Sequence, residues 1–432
     1  MNKIAQDLNR EIIQENPHVY ELLSELGKNL YYPKGILTQS AEAKQKAHRF
    51  NVTIGIAMEQ NQPMFLPLIQ ETLANYNPKD LYPYAPPAGK PELRQLWREK
   101  ILIENPSLKD KSFSSPVVTN ALTHGLSIVA DLFIDVNDPV ILPDKSWGNY
   151  NFIFGVRRGA ETITFPFFTE EGTFNTAGMK EALLSKKEHG KAIILLNFPN
   201  NPTGYTPNEQ AATEIVDALR EVAQQGMNLV VVADDAYFGL FYENSIKESL
   251  FARIANIHPR VLAIKVDGAS KEDYMWGFRV GFITYAGEHP AVLNALVKKT
   301  SGIIRGTISS ASHPSQTFVL NALQSPDFHT QKQEKFEVLR KRACKVKQIL
   351  EQGKYLHAWD YYPFNSGYFM CLRLKGVKAE VLRNHLLDQY GVGVISLGEN
   401  DIRVAFSCVE EQDLEQLFDL IYQGFQDLST IK

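Results

Sequence analysis

Only three of the 432 residues are cysteine, Cys344, Cys371 and Cys408, and none has CxxC spacing. Neither a disulfide framework nor a cysteine zinc site is therefore expected. No apolar run reaches the ~18 residues that span a bilayer, and the opening MNKIAQDLNREIIQEN is too polar for a signal peptide. No membrane partner is expected. The net charge of −4 gives no reason to expect nucleic acid either. Internal repeats and low-complexity tracts are absent. A reduced, cytoplasmic setting is the expectation.

What remains is ordinary globular composition, 44% hydrophobic and 22% charged, in a chain long enough for two domains. Residues 1 to about 55 read as an N-terminal arm with a helical stretch from Asn16 to Leu30 and a break at Pro33–Gly35. Gly35 could bring backbone close to a ligand. The prolines and glycine of residues 81–89 mark a fixed loop that holds Tyr84, followed by a helix from Pro91 to Lys100.

From Val117 the pattern turns α/β. A short strand runs straight into a helix starting near Thr123, so the free N–H groups of Ala121, Leu122 and Thr123 can hold an anion, although the loop lacks P-loop glycines. Trp147 follows the next strand, where its indole can stack on a flat ring. A continuous apolar strand (192–196) ends in a Pro/Asn/Gly turn at Asn201, a helix covers 208–226, and a second apolar strand ends at Asp234. Ligands of such sheets sit beyond the carboxyl ends of the strands. Strand alternation lets only one of Asp234 and Asp235 face a given site. Capping is the bland alternative for both.

The most informative stretch is DGASKEDYMWGFRVG, residues 267–281. Lys271 follows an apolar run, where partial desolvation lowers an amine's pKa and frees it to attack a carbonyl. Arg279, eight residues on, offers a fork of donors for a phosphate. An aldehyde and a phosphate on one molecule describe pyridoxal phosphate. Taken alone, the two residues favour a surface lysine and an ion-paired arginine. Later, Arg305 lies between an apolar pair and a small-residue run, long charged helices follow residue 315, and Ser407 and Glu410 have capping-box spacing before the last helix.

Taken together, YAPPAG, SWGNY, NFPNNPTG, DDAY and SKEDYMWGFRVG, with a late arginine in IRVAF, resemble the fold type I pyridoxal-phosphate enzymes, in particular the class I and II aminotransferases. The resemblance covers roughly residues 30 to 430. It implies a large α/β domain (61–310) with a mostly parallel central sheet flanked by helices. The N-terminal arm (1–60) and the C-terminal segment (311–432) then form a smaller α+β domain. It further implies that Lys271 links to pyridoxal 5′-phosphate as a Schiff base and shuttles the substrate proton, and that Asp234 pairs with the ring nitrogen. Asn201 and Tyr237 bond the ring oxygen, and Trp147 stacks on the ring. Arg279, Ser270, Thr123 and the amides from Ala121 hold the phosphate. Tyr84 of a second copy reaches that phosphate, so a homodimer is implied. Arg403 grips the substrate α-carboxylate, with Gly35, Trp147 and Asn201 also at the substrate.

SWGNY and Arg305, four residues before Ser309, resemble the aspartate aminotransferase branch, where such an arginine crosses the dimer interface to a distal carboxylate. Aspartate, glutamate and their 2-oxo acids are the implied substrates. Four positions depart from that branch: Tyr150 stands where a histidine is usual, Gly268 where serine or threonine is, and Ala121 and Leu122 where glycine-type residues are. An aromatic or broad-specificity aminotransferase and a β-eliminating lyase on the same fold are the alternatives. A ligand-sensing module is a third, without a helix-turn-helix segment to support it.

Overall fold

A computed structural model describes residues 2–15, 17–23, 25–30 and 35–429. Seven strands form the central sheet: β1 (Val117–Asn120), β2 (Pro139–Pro143), β3 (Glu161–Phe165), β4 (Lys191–Asn197), β5 (Asn228–Asp234), β6 (Val261–Gly268) and β7 (Val280–Ala286). Their order is β1-β7-β6-β5-β4-β2-β3. The run from β6 to β3 is parallel, and β7 is antiparallel to both neighbours.

Alternation along these strands feeds two cores. Ile193, Leu195, Val230, Val232 and Ile264 pack on one face, while Ile194, Leu196, Leu229, Val231 and Ala263 pack on the other. Strands buried on both faces read as unbroken apolar runs, which is why β4 and β5 are so legible. Helices α2 (Pro91–Glu104), α3 (Ala121–Phe133), α4 (Glu209–Gln224) and α5 (Pro290–Thr307) accompany this sheet. In α4, Ile215, Leu219 and Val222 are fully buried, the stripe expected from helical spacing.

A second, four-stranded antiparallel sheet contains β8 (Trp359–Tyr361), β9 (Met370–Leu374), β10 (Ile395–Leu397) and β11 (Asp401–Val404), in the order β8-β9-β11-β10. Helices α6 (Phe328–Glu351) and α7 (Leu414–Ser429) pack beside it, burying Leu339, Val346, Leu417 and Ile421. Helix α1 (Ile36–Lys46), from the N-terminal segment, rides on this sheet's elements: Gln39 bonds Ser396, and Arg383 pairs with Glu42. Phe50–Asn51 adds a short parallel pairing with Val392–Gly393.

Several local expectations shift. The helical stretch near the N-terminus is split into Pro17–Leu22 and Glu25–Asn29, preceded by another helix, Lys3–Glu15. Asn16 and Pro33 lie outside the described residues. The capping box at Ser407 and Glu410 does not form. The Ser407 hydroxyl donates to Ile56 O (3.2 Å), Glu410 takes Gln60 N–H and Arg342, and α7 begins only at Leu414. Spacing proposed a local partner, and tertiary partners took both side chains.

Candidate active site

A cleft of about 350 Å³ lies beyond the carboxyl ends of β4, β5 and β6. Asp234 is the last residue of β5, and its side chain faces the cleft. Asp235 points the other way and is bonded by Lys265 and by Ser249 Oγ (2.6 Å). Burial raises the Asp234 pKa to about 6, against the pull of the Tyr150 hydroxyl, which donates to Oδ2 at 2.6 Å, and of Ala236 N–H, which donates to Oδ1 at 3.1 Å. No cation pairs with Asp234 among the described residues, so its charge is only partly compensated.

Lys271 sits in the short helix Ala269–Glu272, directly after β6. Its Nζ donates to Gly55 O at 2.9 Å, and Tyr368 OH fixes the residue by donating to Lys271 O at 2.7 Å. Burial first, then the cations Arg279 and Arg403, lower the amine's pKa to about 8. A side chain at Gly55 would put its Cβ 3.2 Å from Nζ, so that glycine leaves the amine its room. Tyr237 also lines the cleft, with the Lys271 ammonium 5.4 Å from its ring centre.

Asn201 and Arg403 meet across 202 residues of chain. Arg403 Nη1 donates to Asn201 Oδ1 and Nη2 to Thr53 O, both at 2.9 Å, and the guanidinium lies 4.2 Å from the Phe369 ring centre. The arginine is 2% exposed, has an unpartnered Nε, and pairs with no carboxylate among the described residues. A buried, unpaired cation is costly and is relieved by an incoming anion.

At the other end, the N-terminus of α3 presents Ala121, Leu122 and Thr123 to the cleft beside Ser270 and Arg279. Ser270 Oγ is buried without a partner, and Arg279 spends Nη1 on Trp276 O (3.0 Å). The close fit of strand and helix here explains one departure noted in the sequence. A Cβ at Gly268 would lie 2.5 Å from Val280 O, so the β6–β7 pairing leaves no space for serine or threonine. Trp147 lines the cleft edge-on to Tyr150, at 5.5 Å and 85°.

Nine of the expected residues besides Asp234 and Lys271 thus share this cleft. Three do not line it within the chain. Gly35 precedes α1 with nothing within 4 Å of its would-be Cβ, whereas the next residue, Ile36, does reach the cleft. Tyr84 is 92% exposed, and Arg305 is exposed on α5, bonded to Ser309. Sequence reasoning missed Asn197, Thr53, Ser40 and Phe369, which also line it. Asn197 was legible as the last residue of β4; its Nδ2 donates to Asp234 O and its Oδ1 accepts Asn201 N–H, both at 2.8 Å. The other three arrive from segments with no local signal.

The donor set suits pyridoxal phosphate. An orphaned serine hydroxyl, helix-start amides and an arginine would suit a phosphate, an amine of lowered pKa an aldehyde, and a buried carboxyl a pyridinium.

Comparison with known proteins agrees. Residues 53–421 match the family model "Aminotransferase class I and II". A probable aspartate/prephenate aminotransferase of Aquifex aeolicus is 27% identical over 327 residues, 73% of this chain and 76% of that protein. An aspartate aminotransferase of Pyrococcus horikoshii is 24% identical, covering 77% and 81%. Among solved structures, an aminotransferase of Anaerococcus prevotii aligns with a TM-score of 0.83 at 21% identity, covering 94% of this chain and 99% of that one. A single mutant of Thermus thermophilus aspartate aminotransferase aligns at 0.76 and 20%, covering 93% and 99%. With most of its length matched, the chain belongs to the class I and II aminotransferases, enzymes dependent on pyridoxal 5′-phosphate.

Proposed function

We propose that this enzyme moves an amino group between an L-amino acid, aspartate or another dicarboxylic acid, and a 2-oxo acid such as 2-oxoglutarate. One observation carries the reading: a lysine amine of lowered pKa faces a buried carboxyl in a cleft that also holds an arginine without a carboxylate partner. Bound there, pyridoxal phosphate supplies a carbonyl for amine capture and a ring that draws electrons from the adjacent carbon.

The chain's own residues then divide the work. Lys271 is the attachment point and, once freed, the base that takes the α-proton and returns it. Asp234, held ionised by Tyr150, keeps a positive charge on the ring nitrogen. Asn201 and Tyr237 would bond the cofactor's ring oxygen, and Trp147 would stack on its ring. The α3 amides, Thr123, Ser270 and Arg279 hold the phosphate. Arg403 binds the α-carboxylate through two donors, preset by Asn201 and Thr53 O. We assign the working bodies as residues 61–310 and, as the smaller one, 1–60 with 311–432. Tyr84 and Arg305, both exposed, suit work across a homodimer interface, with Arg305 binding a distal carboxylate.

The apolar lining of Ile36, Ile54, Leu122 and Phe369 favours a second reading, broad specificity that includes aromatic donors. A panel of donors with 2-oxoglutarate, repeated with Arg305→Ala, separates the two. Selective loss of aspartate turnover supports the first reading; equal loss for all donors counts against a distal-carboxylate role. Release of keto acid and ammonia without any acceptor would mark a lyase instead.

A further inference from the structure

A second cleft, of about 440 Å³, lies between α2, the segment leading into β1 and the first turns of α5. Arg94, Arg98 and Lys111 line it together with Ser112, Ser115 and Asn294. The cofactor cleft includes one carboxylate, Asp234, whereas no carboxylate lines this one.

Its cations also lack partners elsewhere. Arg94 spends only Nε, on Pro116 O at 2.6 Å; Arg98 lies over the Phe113 ring at 4.2 Å; Lys111 donates to Ala252 O at 2.7 Å. Among the described residues none of the three forms an ion pair, and the hydroxyls of Ser112 and Ser115 have no hydrogen bond. Burial lowers the pKa of Arg94, and burial, then the cations Arg220 and Arg253, lower that of Lys111 against the opposing pull of Glu248. Arg94 and Arg98 stand one turn apart on α2, a like-charged i,i+4 pair that works against its own helix. Guanidinium forks and hydroxyls in a cleft that no carboxylate lines are the chemistry that recognises phosphate.

We propose that this cleft binds a phosphate group, free or as a small monoester, at a site separate from the cofactor's. Two guanidinium groups approach the anion from one helix face, and Ser112 and Ser115 donate from the facing segment.

Equilibrium dialysis of protein saturated with pyridoxal phosphate tests this, with inorganic phosphate in one arm and glycerol 3-phosphate in the other. The parent should retain one phosphate group per chain beyond the cofactor's. Arg98→Gln should weaken retention about tenfold or more, with transaminase turnover unchanged. Ser115→Asp keeps both arginines but places a carboxylate in the cleft, and should weaken retention as well, so the result does not depend on the folding of an arginine variant. Preference for one arm identifies the source of the phosphate, and equal retention in both supports the shared site. No phosphate beyond the cofactor's in the parent, or equal retention by parent and variants, overturns the proposal.

Discussion

Lys265 and Lys271 stand six residues apart, on β6 and just beyond it, and their surroundings set them to opposite tasks. Lys265 is 1% exposed, bonded to Asp235 and 3.4 Å from Asp267, whose other contact is the Trp97 indole N–H at 3.1 Å. Burial pulls its pKa down, but those two carboxylates outweigh burial and raise it. Lys271 has a carbonyl for a partner and two arginines for neighbours, and burial wins. Enclosure therefore does not decide an amine's charge; the sign of its neighbours does. The same division separates Asp234 from Asp235, consecutive residues that strand alternation sends to the cleft and to the ion cluster.

The largest expected effects come from exchanging the two lysines' fates. Lys271→Ala should lose the visible absorbance of the bound cofactor and nearly all turnover while melting close to the parent. Lys265→Ala should do the reverse. It strands Asp235 and Asp267 in the core, at a cost of about 3–5 kcal/mol, read as a lowered melting temperature, with activity retained in the folded fraction. If Lys265→Ala abolishes cofactor uptake in protein that is still folded, the division of labour is wrong.

The two aspartates should divide in the same way. Asp234→Asn should lower turnover about 10²-fold or more through loss of a fixed charge at the reacting centre. Asp235→Asn should act chiefly on stability.

A smaller effect is expected from Tyr150→Phe. The Tyr150 hydroxyl holds the Asp234 pKa down against burial, so its removal should raise that pKa above about 6. A carboxyl carries its charge only above its pKa. The low-pH limb of cofactor affinity should therefore move to higher pH, with weaker binding at pH 6 and little change at pH 9. An unshifted limb would show that the hydroxyl contributes only packing.

The smallest change concerns the start of α3. Ala121 sits at φ +63°, in the left-handed region, with the backbone of Gly281 against it. Left-handed alanine costs about 1–2 kcal/mol, and glycine's greater freedom in the unfolded chain returns about 0.4–1 kcal/mol of that. Ala121→Gly should thus stabilise by up to about 1.5 kcal/mol, measured by chemical denaturation. Destabilisation would mean that the alanine methyl contributes more packing than its backbone loses.

The chain's order of residues determined a good deal unaided. Unbroken apolar runs could only be strands covered on both faces, and residues at their carboxyl ends, Asn201, Asp234 and Lys271, could be named because a strand's end is a local property. The motifs that bracket them were specific enough to suggest the cofactor. Other features belong to no segment. Arg403 acquires Asn201 and Thr53 as partners from 202 and 350 residues away, and Gly55 sets the space around the amine. The capping-box spacing at Ser407 and Glu410 is overridden by Ile56, Gln60 and Arg342. Periodicity and turn chemistry act over a few residues and so can be read along the chain. Charge, burial and hydrogen-bond partnership depend on distance in space, and only the folded structure settles which groups stand close enough to count.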